Sequence, residues 1–211
     1  MRLKLDLDED NKVGLVRDAY FEAYKKSDAA LKKNDYDLAL DILYKAIKAN
    51  EQSDGEPFDR ADFYVKCAHI YRLKKDSDLE LAALTKAIEL RGLDWDYQKR
   101  AQTYEERGEH DNAIADYTKA IEKGGYQPES WQWRGEIFLK KNDYDSAIAD
   151  FLMAVENCKG DKGYKNLCKG CCEVYFLLGQ TYLKKGNARA AMKYLNKAKR
   201  LKRAILAKKE V

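Results

Sequence analysis

A chain of 211 residues, 45% apolar and 36% charged with only two prolines, is long enough to bury a core and too apolar to stay disordered. No apolar run approaches the ~20 residues that span a bilayer, and the opening MRLKLDLDEDNK lacks the unbroken apolar stretch of a secretory signal, so a cytoplasmic protein is expected. The formal net charge of +4 is a property of one end: residues 193–211 carry eight Lys and Arg against one Glu, leaving the rest mildly acidic, so a phosphate-seeking body is not supported.

Residues 1–19 read as a partly flexible segment or a first capping helix. From there the chain repeats itself. Units begin near Tyr20, Ala61, Asp94, Pro128 and Cys172, at steps of 41, 33, 34 and 44 residues. The longer steps are insertions, 51–60 and 159–171, between units near 20–50, 61–91, 94–124, 128–158 and 172–202.

The eighth position of the units holds Ser27, Ala68, Ala101, Gly135 and Gly179, and the twenty-seventh holds Ala46, Ala87, Ala120, Ala154 and Ala198. The twentieth holds Ala39, Glu80, Ala113, Ala147 and Ala191. Small residues at helical spacing let two helices approach closely. Bulky ones mostly fill the space between: Ala30, Tyr71, Tyr104, Phe138 and Tyr182 stand at the eleventh position, and Leu43, Leu84, Tyr117, Phe151 and Leu195 at the twenty-fourth. Between the two helices of each unit stands Asn34, Lys75, Gly108, Asn142 or Gly186, mostly residue types that tolerate the left-handed conformation that ends a helix. Glu80, alone in an alanine column, is expected to loosen its helix or tilt it until the carboxylate meets water. Leu195, Ala198, Leu201 and Ile205 continue a helical stripe into the basic tail 202–211, which extends a capping helix.

The segments GEHDNAIADYTKAIE (108–122), NDYDSAIADFLMAVE (142–156) and LGQTYLKKGNARAAMKYLNKAKRL (178–201) carry the pattern most plainly, and it resembles the tetratricopeptide repeat over residues 20–201. The proline that closes family repeats is absent from its expected place. The resemblance implies an all-α fold, a single right-handed superhelical solenoid of antiparallel helix pairs whose first helices line a concave groove. It also implies a non-enzymatic scaffold that binds a protein or peptide. The alternatives are a structural assembly subunit using the convex face and the ends, and a nucleic-acid or membrane accessory acting through the basic tail.

In the family the groove residues stand near columns 2, 5, 6, 9, 12 and 13. Carried over, they are Tyr24, Lys25 and Asp28, then Val65, Lys66 and His69, then Trp95, Gln98, Lys99 and Gln102, then Gln132, Trp133 and Glu136, and finally Phe176, Leu177 and Gln180. Lys25, Lys66 and Lys99 share one column and form a ladder suited to an acidic peptide, and one of the neighbouring Trp131 and Trp133 is expected to face the groove as an anchor. Some family members grip chaperone tails through a Lys/Asn clamp. At those columns this chain has Tyr24, Asp28, Lys66, Trp95 and Lys99, of which only Lys99 fits.

No cofactor is expected. Cys158, Cys168, Cys171 and Cys172 make a poor zinc set, because the adjacent pair points about 100° apart on a helix and paired C-x-x-C spacing is missing. His110 reads as a packing residue at a turn. His69 lies in the groove without a nucleophile or carboxylate partner at catalytic spacing, and no Gly-rich phosphate loop exists.

Overall fold

A computed structural model describes residues 9–52, 57–124, 128–158 and 169–207, and these form ten α-helices. In chain order they are α1 (Glu9–Lys32), α2 (Tyr36–Gln52), α3 (Pro57–Leu73), α4 (Ser77–Leu90), α5 (Asp94–Glu106), α6 (His110–Gly124), α7 (Pro128–Lys140), α8 (Tyr144–Asn157), α9 (Lys169–Lys184) and α10 (Ala188–Ala207). Both prolines open a helix, α3 and α7, where a missing N–H costs nothing. The first helix starts ahead of Tyr20, and the last runs on past residue 202. The chain groups into two compact units, the first ending at Asp96 and the second starting at Tyr97.

Each odd-numbered helix turns back on itself through three residues. In all five turns the expected position is left-handed: Asn34, Lys75 and Asn142 have φ of 57°, 60° and 61°, and Gly108 and Gly186 have 76° and 82°. The first turn shows how this works. Asn34 N–H donates to Leu31 and Asp35 N–H reaches back to Ala30, which satisfies carbonyls that the ending helix leaves open. An acid or amide then caps the next helix, with Asp35, Asp76, Asp143 and Asn187 accepting from the N–H three residues on.

The small columns do what their size allows. Ser27, Ala68, Ala101, Gly135 and Gly179 are all buried, and a Cβ built on Gly135 would stand 2.8 Å from the Phe151 ring. On Gly179 it would stand 2.5 Å from Leu195 Cγ. In these two units the eighth and twenty-fourth positions are thus pressed together at a distance that leaves no room for a larger residue. In the first unit the core is built on Leu43, Phe63, Ile70 and Leu84. In the second it divides between a cluster around Tyr117 and Ile137 and one around Phe151, Val174 and Leu178.

Glu80 corrects an expectation. Its carboxylate does not reach water: it is buried, and Arg72 Nε donates to it at 2.8 Å. The first turn of α4 also favours a negative charge there. Buried guanidinium–carboxylate pairs recur. Arg100 embraces Asp116 through two bonds of 2.7 and 2.9 Å, and Arg134 embraces Asp150 through two of 2.8 Å, each pair 16 residues apart and tying the two helices of one repeat. Arg91 grips the fully buried Asp96 with two bonds of 3.0 Å while also meeting Asp62, which accepts from Tyr20.

Replacing Arg134 with Met strands Asp150 as a buried charge, at a cost of about 3 kcal/mol or more. The double change Arg134→Met/Asp150→Leu restores most of that loss. Urea titration of the two variants against the parent checks the ordering.

Candidate functional site

In the first unit, the groove columns of α1 and α3 meet, but not as free binding groups. Lys66 is buried: its ammonium pairs with Asp28 at 2.7 Å, donates to the Tyr24 carbonyl at 3.2 Å and stands 3.4 Å from the centre of the Tyr24 ring. A half-buried ring on one side and a carboxylate on the other hold the lysine as a strut between α1 and α3. The ladder therefore does not exist as three free cations; Lys25 and Lys99 are exposed and Lys66 is spent. Val65 is half-buried, while Asp28 and His69 are exposed. Trp95 is exposed, with the Arg91 guanidinium 5.6 Å from its ring.

In the second unit, α5, α7 and α9 supply the corresponding columns. Gln98 Nε2 donates to the buried Ser130 hydroxyl at 2.6 Å, fastening α5 to α7, and Gln102 is half-buried beside it. Trp133 departs from its expected role. Its ring lies 5.8 Å from that of Tyr117, tilted by 40°, on the cluster of Ala101, Ala113 and Ile137. Trp131 is half-buried as well, under the Arg134 guanidinium at 5.0 Å. Neither tryptophan is a free anchor. On α9 the apolar side chains Phe176 and Leu183 are 48% and 52% exposed with Gln180 between them. Leu177 on the same helix is half-buried.

The electrostatics of this face are acidic. Glu136 accepts from Gln132 Nε2 at 2.9 Å, and burial pushes its carboxyl above the ordinary range. The carboxylates of Glu105 and Glu173 push it further, partly offset by the Gln132 bond. Glu105 in turn pairs with Lys140 at 2.6 Å and accepts from the Tyr117 hydroxyl at 3.4 Å. No feature of the sequence columns announced this gathering. Its signal is spatial, with glutamates at columns 12, 9 and 2 of successive units brought together by the stagger of the helices.

Of the cysteines set aside for zinc, Cys158 and Cys172 are half-buried and Cys171 is buried, whereas Cys168 lies outside the described residues. Cys172 donates to the Ala198 carbonyl at 3.3 Å, which serves packing between α9 and α10. Burial pushes the Cys67 thiol up to about 12, so it stays protonated and inert. His110 is half-buried at the start of α6. No helix among the described residues is long and apolar enough to cross a membrane.

Family patterns described as tetratricopeptide repeat match residues 99–162 and 173–205. No curated protein sequence matches the chain. Among solved structures it is similar to BtubC (BKLC) from P. vanneervenii, with a TM-score of 0.73 at 16% identity, covering 95% of this chain and 93% of that one. It is also similar to MamA protein, with a TM-score of 0.70 at 18% identity over 88% and 92% of the two chains. A third is YrrB, described as a TPR protein with an unusual peptide-binding site, with a TM-score of 0.63 at 17% identity over 88% and 89%. At these identities the likeness is one of fold.

A raised folded-state pKa at Glu136 means stability lost as pH rises through the carboxylate range and present below it. Glu136→Gln keeps the bond from Gln132 and removes the charge. It should melt about 1–2 °C higher than the parent at pH 7, with the gap closing at pH 4, in paired thermal scans.

Proposed function

Because this chain belongs to the tetratricopeptide-repeat family, we propose that it works without catalysis, as a scaffold that holds a protein or peptide partner against the groove columns of its first helices. The observation that carries the reading is α9. One side of that helix is spent on the core through Val174, Tyr175 and Leu178, while the other leaves Phe176, Gln180 and Leu183 in solvent. Solvent-exposed aromatic and leucine side chains at helical spacing serve no purpose in packing, and with amide neighbours they suit an extended or helical segment. Gln102 and Gln132 on α5 and α7 add side-chain amides able to bond a partner's backbone. The peptide-binding site named for YrrB supports the reading by analogy of fold.

The same side chains define the test. Trp133 and Lys66 are unsuitable targets, since both are packed and their loss would damage the fold. Peptides are selected on the intact chain from a phage-displayed library, then measured against Gln102→Ala/Phe176→Ala/Gln180→Ala. The variant should melt with the parent and bind about tenfold more weakly or worse. Undiminished binding of every selected peptide would sink the groove reading.

A further inference from the structure

Within each of the two units, neighbouring repeats are joined by an exposed ion pair that recurs at fixed columns. Lys74 at the second turn pairs with Asp37 on α2 at 2.6 Å, Lys141 pairs with Asp111 on α6, and Lys185 pairs with Asp145 on α8. In each case a lysine at column 14 of the arriving repeat meets an aspartate at column 18 of the one before it. The packing matches, with α3 lying on α2, α7 on α6 and α9 on α8. The column-18 series reads Asp37, Asp78, Asp111, Asp145 and then Arg189. At the outward face of α10, the sign of the stacking site is reversed.

The reversal extends along the helix. Ala188–Ala207 carries seven Lys and Arg and no Asp or Glu. Its apolar stripe is spent on α9: Ala191 and Ala198 are buried and the Tyr194 ring stacks on Tyr182 at 5.5 Å. The flank that meets the next repeat's first helix is marked in the inner repeats by the buried Leu40, Ile47, Ile148 and Val155. On α10 the same flank carries Arg189, Lys199 and Arg203 over about 21 Å. All three are exposed. With them stand Met192 and Leu206, 64% and 53% exposed.

We propose that the outward face of α10 is a docking surface for an acidic amphipathic helix of another protein, seated where a further repeat's first helix would lie. The stacking rule supplies the helical shape of the partner, the charge reversal supplies its sign, and Met192 and Leu206 supply apolar contact that a phosphate backbone does not use. A membrane surface fits less well, because the stripe that would insert into lipid is already packed on α9. A second copy of the chain is refused. Its own column-14 residue in the first repeat is Lys33, which would meet Arg189 as a like charge.

The test uses the full chain and a labelled synthetic helix bearing three Glu and two Leu at matching spacing, followed by fluorescence anisotropy. The same helix with Gln for Glu, a short duplex DNA and phosphatidylserine vesicles serve as comparison ligands. The acidic helix should bind in a salt-sensitive manner. Arg189→Glu/Lys199→Glu/Arg203→Glu should weaken it by about tenfold or more, and Met192→Ser/Leu206→Ser by about fivefold. Both variants should keep the parent melting temperature, and Phe176→Ala, in the groove, should leave this affinity unchanged. Equal binding of the Glu and Gln helices overturns the proposal. So does preference for DNA or vesicles at equal ionic strength, or self-association of the parent that the triple variant abolishes.

Discussion

Everything in this molecule depends on the close approach of two helices at a glycine, alanine or serine. Where Gly135 faces Phe151 and Gly179 faces Leu195, no Cβ fits, and the ring or leucine fills the space a side chain would have taken. That contact fixes the rotation of each helix about its axis. Once the rotation is fixed, every other column is assigned, either inward to the core, sideways to the next repeat, or outward. Function enters as what is left over, and the unspent side chains of α9 and α10 are the clearest remainder.

Ion pairs then decide how polar residues share in that assignment. Arg100 with Asp116 and Arg134 with Asp150 place a charge pair where a helix pair could have used leucines. Two bonds per pair satisfy the buried carboxylates, and Arg134 also donates to Thr118 at 2.8 Å, joining one repeat to the next. Such pairs add geometric definition more than net stability, since desolvation offsets much of their attraction. The cation–ring contact of Lys66 with Tyr24 belongs to the same class of device, as does the burial of Glu80 beside Arg72.

The helix pairs and their turns were legible in the sequence because their determinants are local in type: size at columns 8, 20 and 27, and left-handed tolerance at the turn. Asn34, Asn142, Gly108 and Gly186 announce their conformation, and Lys75 follows by register. The fates of Lys66, Trp133 and Glu80 were not legible. Each depends on a partner in another helix, and a lysine or tryptophan in a groove column reads the same whether it is spent or free. The Arg–Asp pairs did leave a trace, an arginine at column 7 and an aspartate at column 23 in two consecutive repeats. Reading it requires treating charged residues as packing elements.

We propose that α5, α7 and α9 of the second unit hold the partner on their unspent side chains. Backbone amide chemical-shift mapping of the isotope-labelled chain, titrated with a library-selected peptide, tests this most directly. The account predicts that the largest shifts fall on the first helices, around Gln102, Gln132, Phe176 and Gln180. Shifts concentrated on the second helices α6 and α8, with α9 unmoved, would contradict it.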